Sequence, residues 1–243
     1  MTCAAFSFLT QAASSLAHLP EGQKASFEAA SAAIAAALQA DKLIYLFGTG
    51  HSHMLAEEGH YRAGGIAAVV PILEPALMLH DGAVESTRRE REAGIAARVL
   101  ARYPIDSGDI LIIFSNSGVN AVPVEAAAYG RAHGACVIAV TSDAYSRAAA
   151  GGRPRLFDTA DIAIDNRTVP GDAGFAAAEG QPPVGPLSTI IGAAILNALL
   201  AEAAARLAAV GVEAPIYVSA NMPGAKERNA ALVARYRARN QHL

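Results

Sequence analysis

Tryptophan is absent from the 243 residues, cysteine occurs twice, aromatic residues make up 6% and charged residues 17%. Each shortage excludes something. Cys3 and Cys136 stand far apart in unlike contexts, so neither a disulfide framework nor a cysteine metal site is readable, and a reducing cytoplasm is expected. Few aromatics argue against an aromatic-rich β-sandwich. Lys and Arg number 19 against 22 Asp and Glu, a net charge of −3, which leaves no basic footprint for nucleic acid. The first twenty residues lack the Lys/Arg start of an export signal and are broken by Ser7, Thr10, Gln11, Ser14 and Ser15, so a helix is expected there. Leu187 to Val212 is apolar but interrupted by Asn197, Glu202 and Arg206, which points to a buried helix and not to a bilayer span. What is plentiful is alanine, in a chain that is 53% hydrophobic and long enough for one sizeable core.

Thr2 to Leu19 and Gly22 to Ala40 have helical propensity throughout, with the break at Pro20 and Gly22, and predict a helical hairpin. Four short apolar runs follow: Leu43 to Phe47, Ile66 to Val70, Ile110 to Phe114 and Cys136 to Thr141. Continuous apolar runs of this length are the pattern of strands buried on both faces. Between them, Ser52 to Arg62, Glu85 to Arg102 and Val119 to His133 read as helices, so the strands must be joined by crossovers and lie parallel. Asp161 to Ile164 is a fifth candidate strand. Gly151 to Pro154 reads as loop, and the Gly- and Pro-rich stretch Arg167 to Pro186 is long enough for a functional loop. A long helix over Leu187 to Val210 and a basic one over Ala225 to Arg239 complete the chain. There is no internal repeat and no linker, so a single domain over residues 1–243 is expected, with a core at about 42–200, leading helices in 1–40 and an extension over 211–243.

Ligands of open parallel sheets bind beyond the carboxyl ends of the strands, where strand order reverses. The first strand runs into Gly48-Thr49-Gly50-His51-Ser52-His53, and free N–H groups at the start of the following helix suit an anion. This is neither a dinucleotide fingerprint nor a P-loop, and a glycine turn also serves plain packing. The third strand ends in Ser115-Asn116-Ser117-Gly118-Val119-Asn120, where Ser117 or Asn120 could equally cap the next helix. Thr141-Ser142-Asp143 ends the fourth strand, and Ser188-Thr189 opens the late helix. Four Ser/Thr clusters at element ends point to phosphate recognition by N–H and O–H donors.

These strings resemble the SIS (sugar isomerase) domain over about Lys42 to Leu200. Phe47 to Glu58, Tyr61-Arg62-Ala63-Gly64-Gly65 and Ile72-Leu73-Glu74-Pro75 are similar to a poorly characterised bacterial subfamily related to phosphoheptose isomerases. The resemblance implies a flavodoxin-like α/β fold, a five-stranded parallel sheet flanked by helices on both faces. It also implies phosphosugar contacts at Ser52, at Ser115, Asn116, Ser117, Gly118 and Asn120, and at Ser188 or Thr189. Gly48, Gly50, His51 and Thr141 complete the expected binding set. Pairing of SIS domains with active sites at their interface implies at least a homodimer.

Enediol isomerisation needs a base that moves a proton between adjacent carbons and a donor at the oxygens. Ala56-Glu57-Glu58 resembles the string that carries the catalytic glutamate of phosphoheptose isomerases, which favours Glu58, with Glu57 as rival. His53 and His80 are the imidazole candidates. His53, Glu57 and His60 fall at i, i+4 and i+7 and share a helical face, a possible zinc set by resemblance or simply a polar face. Glu74, Arg88 and Arg91 are candidate contacts to a ligand or a neighbouring subunit, although charge-rich helices such as Ser86 to Glu92, and the run Lys226-Glu227-Arg228, ordinarily face solvent. The expected function is thus a sugar-phosphate isomerase without an obligatory cofactor. The alternatives are a non-catalytic phosphosugar sensor and an aminosugar-phosphate lyase or deaminase. No helix-turn-helix is evident.

Overall fold

The computed structural model describes residues 3–243, so Thr2, where the first helix was expected to begin, lies outside the described residues. Helices α1 (Ala4–His18) and α2 (Lys24–Gln39) form the leading hairpin. There follow β1 (Ile44–Gly48), a 3₁₀ turn Gly50–His53, α3 (Met54–Gly59), β2 (Val69–Pro71), α4 (Ala83–Arg89), α5 (Ile95–Leu100) and β3 (Ile110–Phe114). Next come α6 (Ala121–Ala132), β4 (Cys136–Thr141), α7 (Asp143–Ala150), α8 (Leu156–Thr159) and β5 (Ile162–Asp165). A small hairpin of β6 (Ala173–Phe175) and β7 (Val184–Pro186) leads to α9 (Ser188–Ala209), and α10 (Ala225–Tyr236) is last.

Strands β1 to β5 pair in parallel in the order β2-β1-β3-β4-β5, with Ile44 beside both Val69 and Ile110, Ile110 beside Cys136 and Ile138 beside Ile162. Every residue of β1, β2 and β3 is buried, because helices cover both faces: α2, α3 and α9 pack as one layer and α5, α6 and α8 as the other. This is the α/β fold expected from the apolar runs. The order reverses between β1 and β3, which places a crevice beyond Gly48 and Phe114. The apolar helix α9 lies in this core through Ile191, Ile195, Leu199 and Leu207, while Glu202 and Arg206 pair at 2.9 Å.

Tertiary partners overrode the local pattern in three places. The second strand is Val69–Pro71; Ile66 instead bridges antiparallel to Ile216, and Ala67 N–H donates to the Pro215 carbonyl at 2.7 Å. The single helix expected over Glu85 to Arg102 is two, because Gly94 sits at φ +81° ahead of α5 and its N–H donates to the Glu125 carboxylate at 2.8 Å. The loop Arg167 to Pro186 contains β6 and β7, held on α1 by an edge-to-face contact of Phe8 with Phe175 at 5.9 Å. The short helix α7 follows β4 directly, where the sequence pattern indicated no helix. It is capped by Ser142, whose Oγ accepts from Tyr145 N–H at 3.1 Å.

The chain beyond α9 closes the open edge of the sheet. Asn240 Nδ2 donates to the Val69 carbonyl at 3.2 Å, and His242 lies 3.0 Å from the Tyr103 hydroxyl with its carbonyl 3.4 Å from His60 Nε2. Burial holds both His60 and His242 below the ordinary imidazole pKa, and at His242 the neighbouring His60 and Arg102 add to the effect. Burial thus disfavours the charged form of both in the folded protein, and the stability this contributes is present above the unfolded value of about 6.5 and lost as pH falls below it. The melting temperature should drop between pH 7.5 and 5.5. His60→Gln and His242→Gln should flatten that slope, and an unchanged slope would contradict the assignment.

Candidate functional site

Gly48 ends β1 where the backbone turns back on itself. A Cβ on Gly48 would lie 2.4 Å from the Ser52 carbonyl oxygen, so only glycine lets the 3₁₀ turn fold against the strand end. The turn presents Gly50, His51 and Ser52 on one wall of a cleft of about 310 Å3. The lining also includes Ser115, Asn116, Ser117 and Asn120 after β3, together with Ser188, Asp172 and Tyr145. Gly118, at φ +60°, turns the β3 loop so tightly that a Cβ would meet Thr141 Oγ1 at 2.6 Å. Thr141 is fully buried and lies behind the loop, with its hydroxyl donating to the Asn116 carbonyl at 3.3 Å. It shapes the site from underneath.

A small hole shares Ser52, Ser115, Asn116 and Ser188 with the cleft and is bordered also by Asn166 and Thr189, with Leu55, Phe114, Val140 and Gly192 lining it as well. Asn116 Oδ1 accepts from Asn166 Nδ2 at 2.8 Å and from Thr168 Oγ1 at 2.7 Å, while Asn116 Nδ2 is buried without a protein partner. Buried donors are ordinarily satisfied, so Asn116 Nδ2, buried in a residue that borders the hole, lacks a partner that the protein does not supply. Ser86 Oγ, also in the cleft lining, is a second such atom.

The carboxylates that face this cleft are Glu90 and Asp172, neither of which was singled out from the sequence. Glu90 Oε2 accepts from Thr49 Oγ1 at 2.8 Å, and Oε1 accepts from Asn120 Nδ2 and Arg91, each at 2.9 Å. Its carbonyl accepts from Val122 N–H at 3.1 Å, so one residue ties the end of β1 to the start of α6 across the switch point. Asn120 stands at the N-cap of α6 but makes no side-chain cap, because its amide turns to Glu90 instead. Asp172 caps α9: its Oδ1 accepts from Ser188 N–H at 2.9 Å and its Oδ2 from Ser188 Oγ at 2.5 Å.

The glutamates expected to be catalytic stand apart from the cleft lining. Glu58 is paired with Arg62 and accepts from Asn197 Nδ2 at 3.3 Å. Glu57 is half exposed and bonds His53 Nε2 at 3.2 Å. His53 is buried, and burial lowers its pKa against the opposing pull of Glu57, with His80 nearby lowering it further. His80 follows Leu79, which does line the cleft. His60 does not join His53 and Glu57, since α3 ends at Gly59 and His60 turns to His242; among the described residues no three His, Cys, Asp or Glu side chains form a metal-holding group. The zinc set read from helical spacing is therefore not assembled here. Glu74 pairs with Arg102, Arg88 with Glu85 at 2.7 Å, and of those surface candidates only Arg91 reaches the cleft.

The model of the SIS domain family matches residues 7–142. The chain belongs to the SIS domain family. It is 53% identical to a UPF0309 protein of Brucella canis over 94% of each chain, and 56% identical to one of Brucella anthropi over 86% of each. Among solved structures, the SIS fold is shared with a phosphoheptose isomerase of Francisella tularensis (TM-score 0.56, 14% identity, 82% of this chain and 95% of that one). It is shared also with the sugar isomerase domain of an RpiR transcription factor of Sphaerobacter thermophilus (TM-score 0.53, 20% identity, 96% of this chain and 98% of that one). At these identities the likeness describes the SIS fold, and the chemistry has to be argued from this chain's own cleft.

Proposed function

We propose that this SIS domain binds a sugar phosphate at the switch-point crevice and isomerises it through an enediol. The observation that carries the reading is the unpartnered Asn116 Nδ2 beside Ser52, Ser115, Ser188 and Thr189, a set of uncharged donors at two strand ends and one helix start. A phosphate oxygen satisfies that donor, and the sugar then extends into the larger cleft. In the isomerisation a carboxylate removes the proton from one of two adjacent carbons and returns it to the other, while a donor exchanges the proton between their oxygens. Within one chain, Glu90 is the carboxylate placed for the first task. Asp172 is held by the backbone N–H groups of Leu187 and Ser188, which cannot swing away, whereas Glu90 is held by the side chains of Thr49, Asn120 and Arg91; His51, in the same lining, is the candidate for the second task.

A panel of aldose, ketose and aminosugar phosphates, scored by thermal shift and by NMR for product, tests the reading. One or a few members should raise the melting temperature and be converted, and non-phosphorylated sugars should do neither. No shift with any member overturns it. Stabilisation without product favours the sensor reading, which has an observation of its own: Glu57 and Glu58 are committed to His53 and to Arg62 with Asn197, outside the cleft lining.

A further inference from the structure

Asn116 has a carboxamide whose two ends are chemically different, and the orientation it adopts is decided two residues deeper in the protein. The Thr168 backbone N–H, which can only donate, lies 3.1 Å from Asn166 Oδ1 and so fixes that oxygen. Asn166 must then turn its N–H2 group towards Asn116, where Nδ2 donates to Oδ1 at 2.8 Å. The Thr168 hydroxyl also reaches Asn116 Oδ1 at 2.7 Å, and Thr168 is itself anchored by its carbonyl, which accepts from Ser142 Oγ at 2.6 Å. Asn166 and Thr168 are buried at 3% and 4% exposure, so no bulk water compensates a wrong pairing. Rotating the Asn116 amide by half a turn would set its N–H2 group against that of Asn166, donor facing donor.

We propose that Asn166 is a positioning residue for the cleft: by holding Asn116 Oδ1 it commits the Asn116 N–H2 group to the ligand as a fixed donor to an anionic oxygen. This rests on the reading of the cleft as a phosphosugar site. It assigns that donor to the tetrahedral oxyanion and makes the site's preference for an acceptor oxygen a property of a buried relay, Thr168 N–H to Asn166 to Asn116. Asn166 also borders the small hole beside Asn116, whereas Thr168 stands behind it, outside that lining.

The test uses sulfate, a tetrahedral dianion whose charge does not change between pH 4 and 8, titrated calorimetrically into the full chain, with circular dichroism to verify folding. Asn166→Ala adds no charge and frees the Asn116 amide to rotate, so sulfate affinity should fall about tenfold. Asn166→Asp keeps the bond from Thr168 N–H but presents an acceptor to Asn116, drawing its N–H2 group away from the cleft. Affinity should fall further at pH 7 and recover relative to wild type as the new carboxyl protonates and regains a donor. Because Asn166 borders the hole, the new carboxylate also repels sulfate directly, so the relay is read from the uncharged variants Asn166→Ala and Thr168→Val; a purely structural role would lower their melting temperatures and leave sulfate affinity within twofold of wild type. If Asn166→Asp does not fold, Thr168→Val removes the hydroxyl donor, keeps the backbone one, and should weaken sulfate about threefold. Wild-type binding with Asn166→Ala within twofold of it overturns the relay alone. A wild-type protein that binds neither sulfate nor any sugar phosphate overturns the phosphosugar reading and the relay together.

Discussion

Gly48→Ala should destabilise the protein by about 3 kcal/mol and abolish ligand-induced thermal stabilisation. The added methyl would stand 2.4 Å from the Ser52 carbonyl oxygen and 2.5 Å from its carbon, and these are backbone atoms that no rotamer change can move aside. Relief requires the Gly50–His53 turn to lift from the end of β1, which carries Ser52 away from Ser115 and Asn116 and pulls the buried His53 outwards. Every residue of β1 is buried between β2 and β3, so the strand cannot shift in compensation. Denaturant unfolding of the variant measures the loss. A midpoint close to wild type, with ligand stabilisation intact, would show that the turn tolerates the displacement.

Glu90→Gln should leave sugar-phosphate binding nearly unchanged while lowering turnover of the identified substrate by about 10²- to 10⁴-fold. Glutamine has the same shape and still accepts at one oxygen, so the tie between β1 and α6 is largely kept, but no carboxylate remains to take a carbon-bound proton. The Glu90 side chain is 17% exposed and faces the cleft, and its Oε2 is engaged by Thr49 alone. Glu58→Gln, by contrast, alters a group outside the cleft lining and should change turnover only a few-fold. The decisive readout is the split between kcat and KM for the three variants Glu57→Gln, Glu58→Gln and Glu90→Gln. Full turnover in Glu90→Gln removes it from the mechanism, and a selective collapse in Glu57→Gln or Glu58→Gln returns the base to α3.

Strand ends were the part of the site that the linear chain revealed. Ser52, Ser115, Asn116 and Ser188 each follow an apolar run or open an apolar helix, and a parallel sheet carries such residues to one edge by its topology. Residues supplied by irregular segments were not legible in the same way. Glu90 belongs to a stretch whose charges suggest a solvated helix, and it points inward because α4 ends just before it and the chain breaks again at Gly94. Asp172 sits at φ +71° in a loop rich in glycine, and nothing local announces that it will cap a helix sixteen residues later. The spacing of His53, Glu57 and His60 described one helical face correctly only while the helix lasted, and α3 ends at Gly59.

Composition and periodicity by themselves determined the class of architecture, the parallel sheet and the presence of uncharged hydroxyl and amide donors at its carboxyl edge. Those properties follow from apolar runs of strand length and from what terminates them. Only the tertiary structure decided which carboxylates meet the cleft, why Asn116 keeps an unpartnered donor and how residues 214–243 close the sheet edge. These depend on side-chain directions and on contacts between residues such as Asn116 and Asn166, which no local pattern encodes because the chain between them is free to take any length or course.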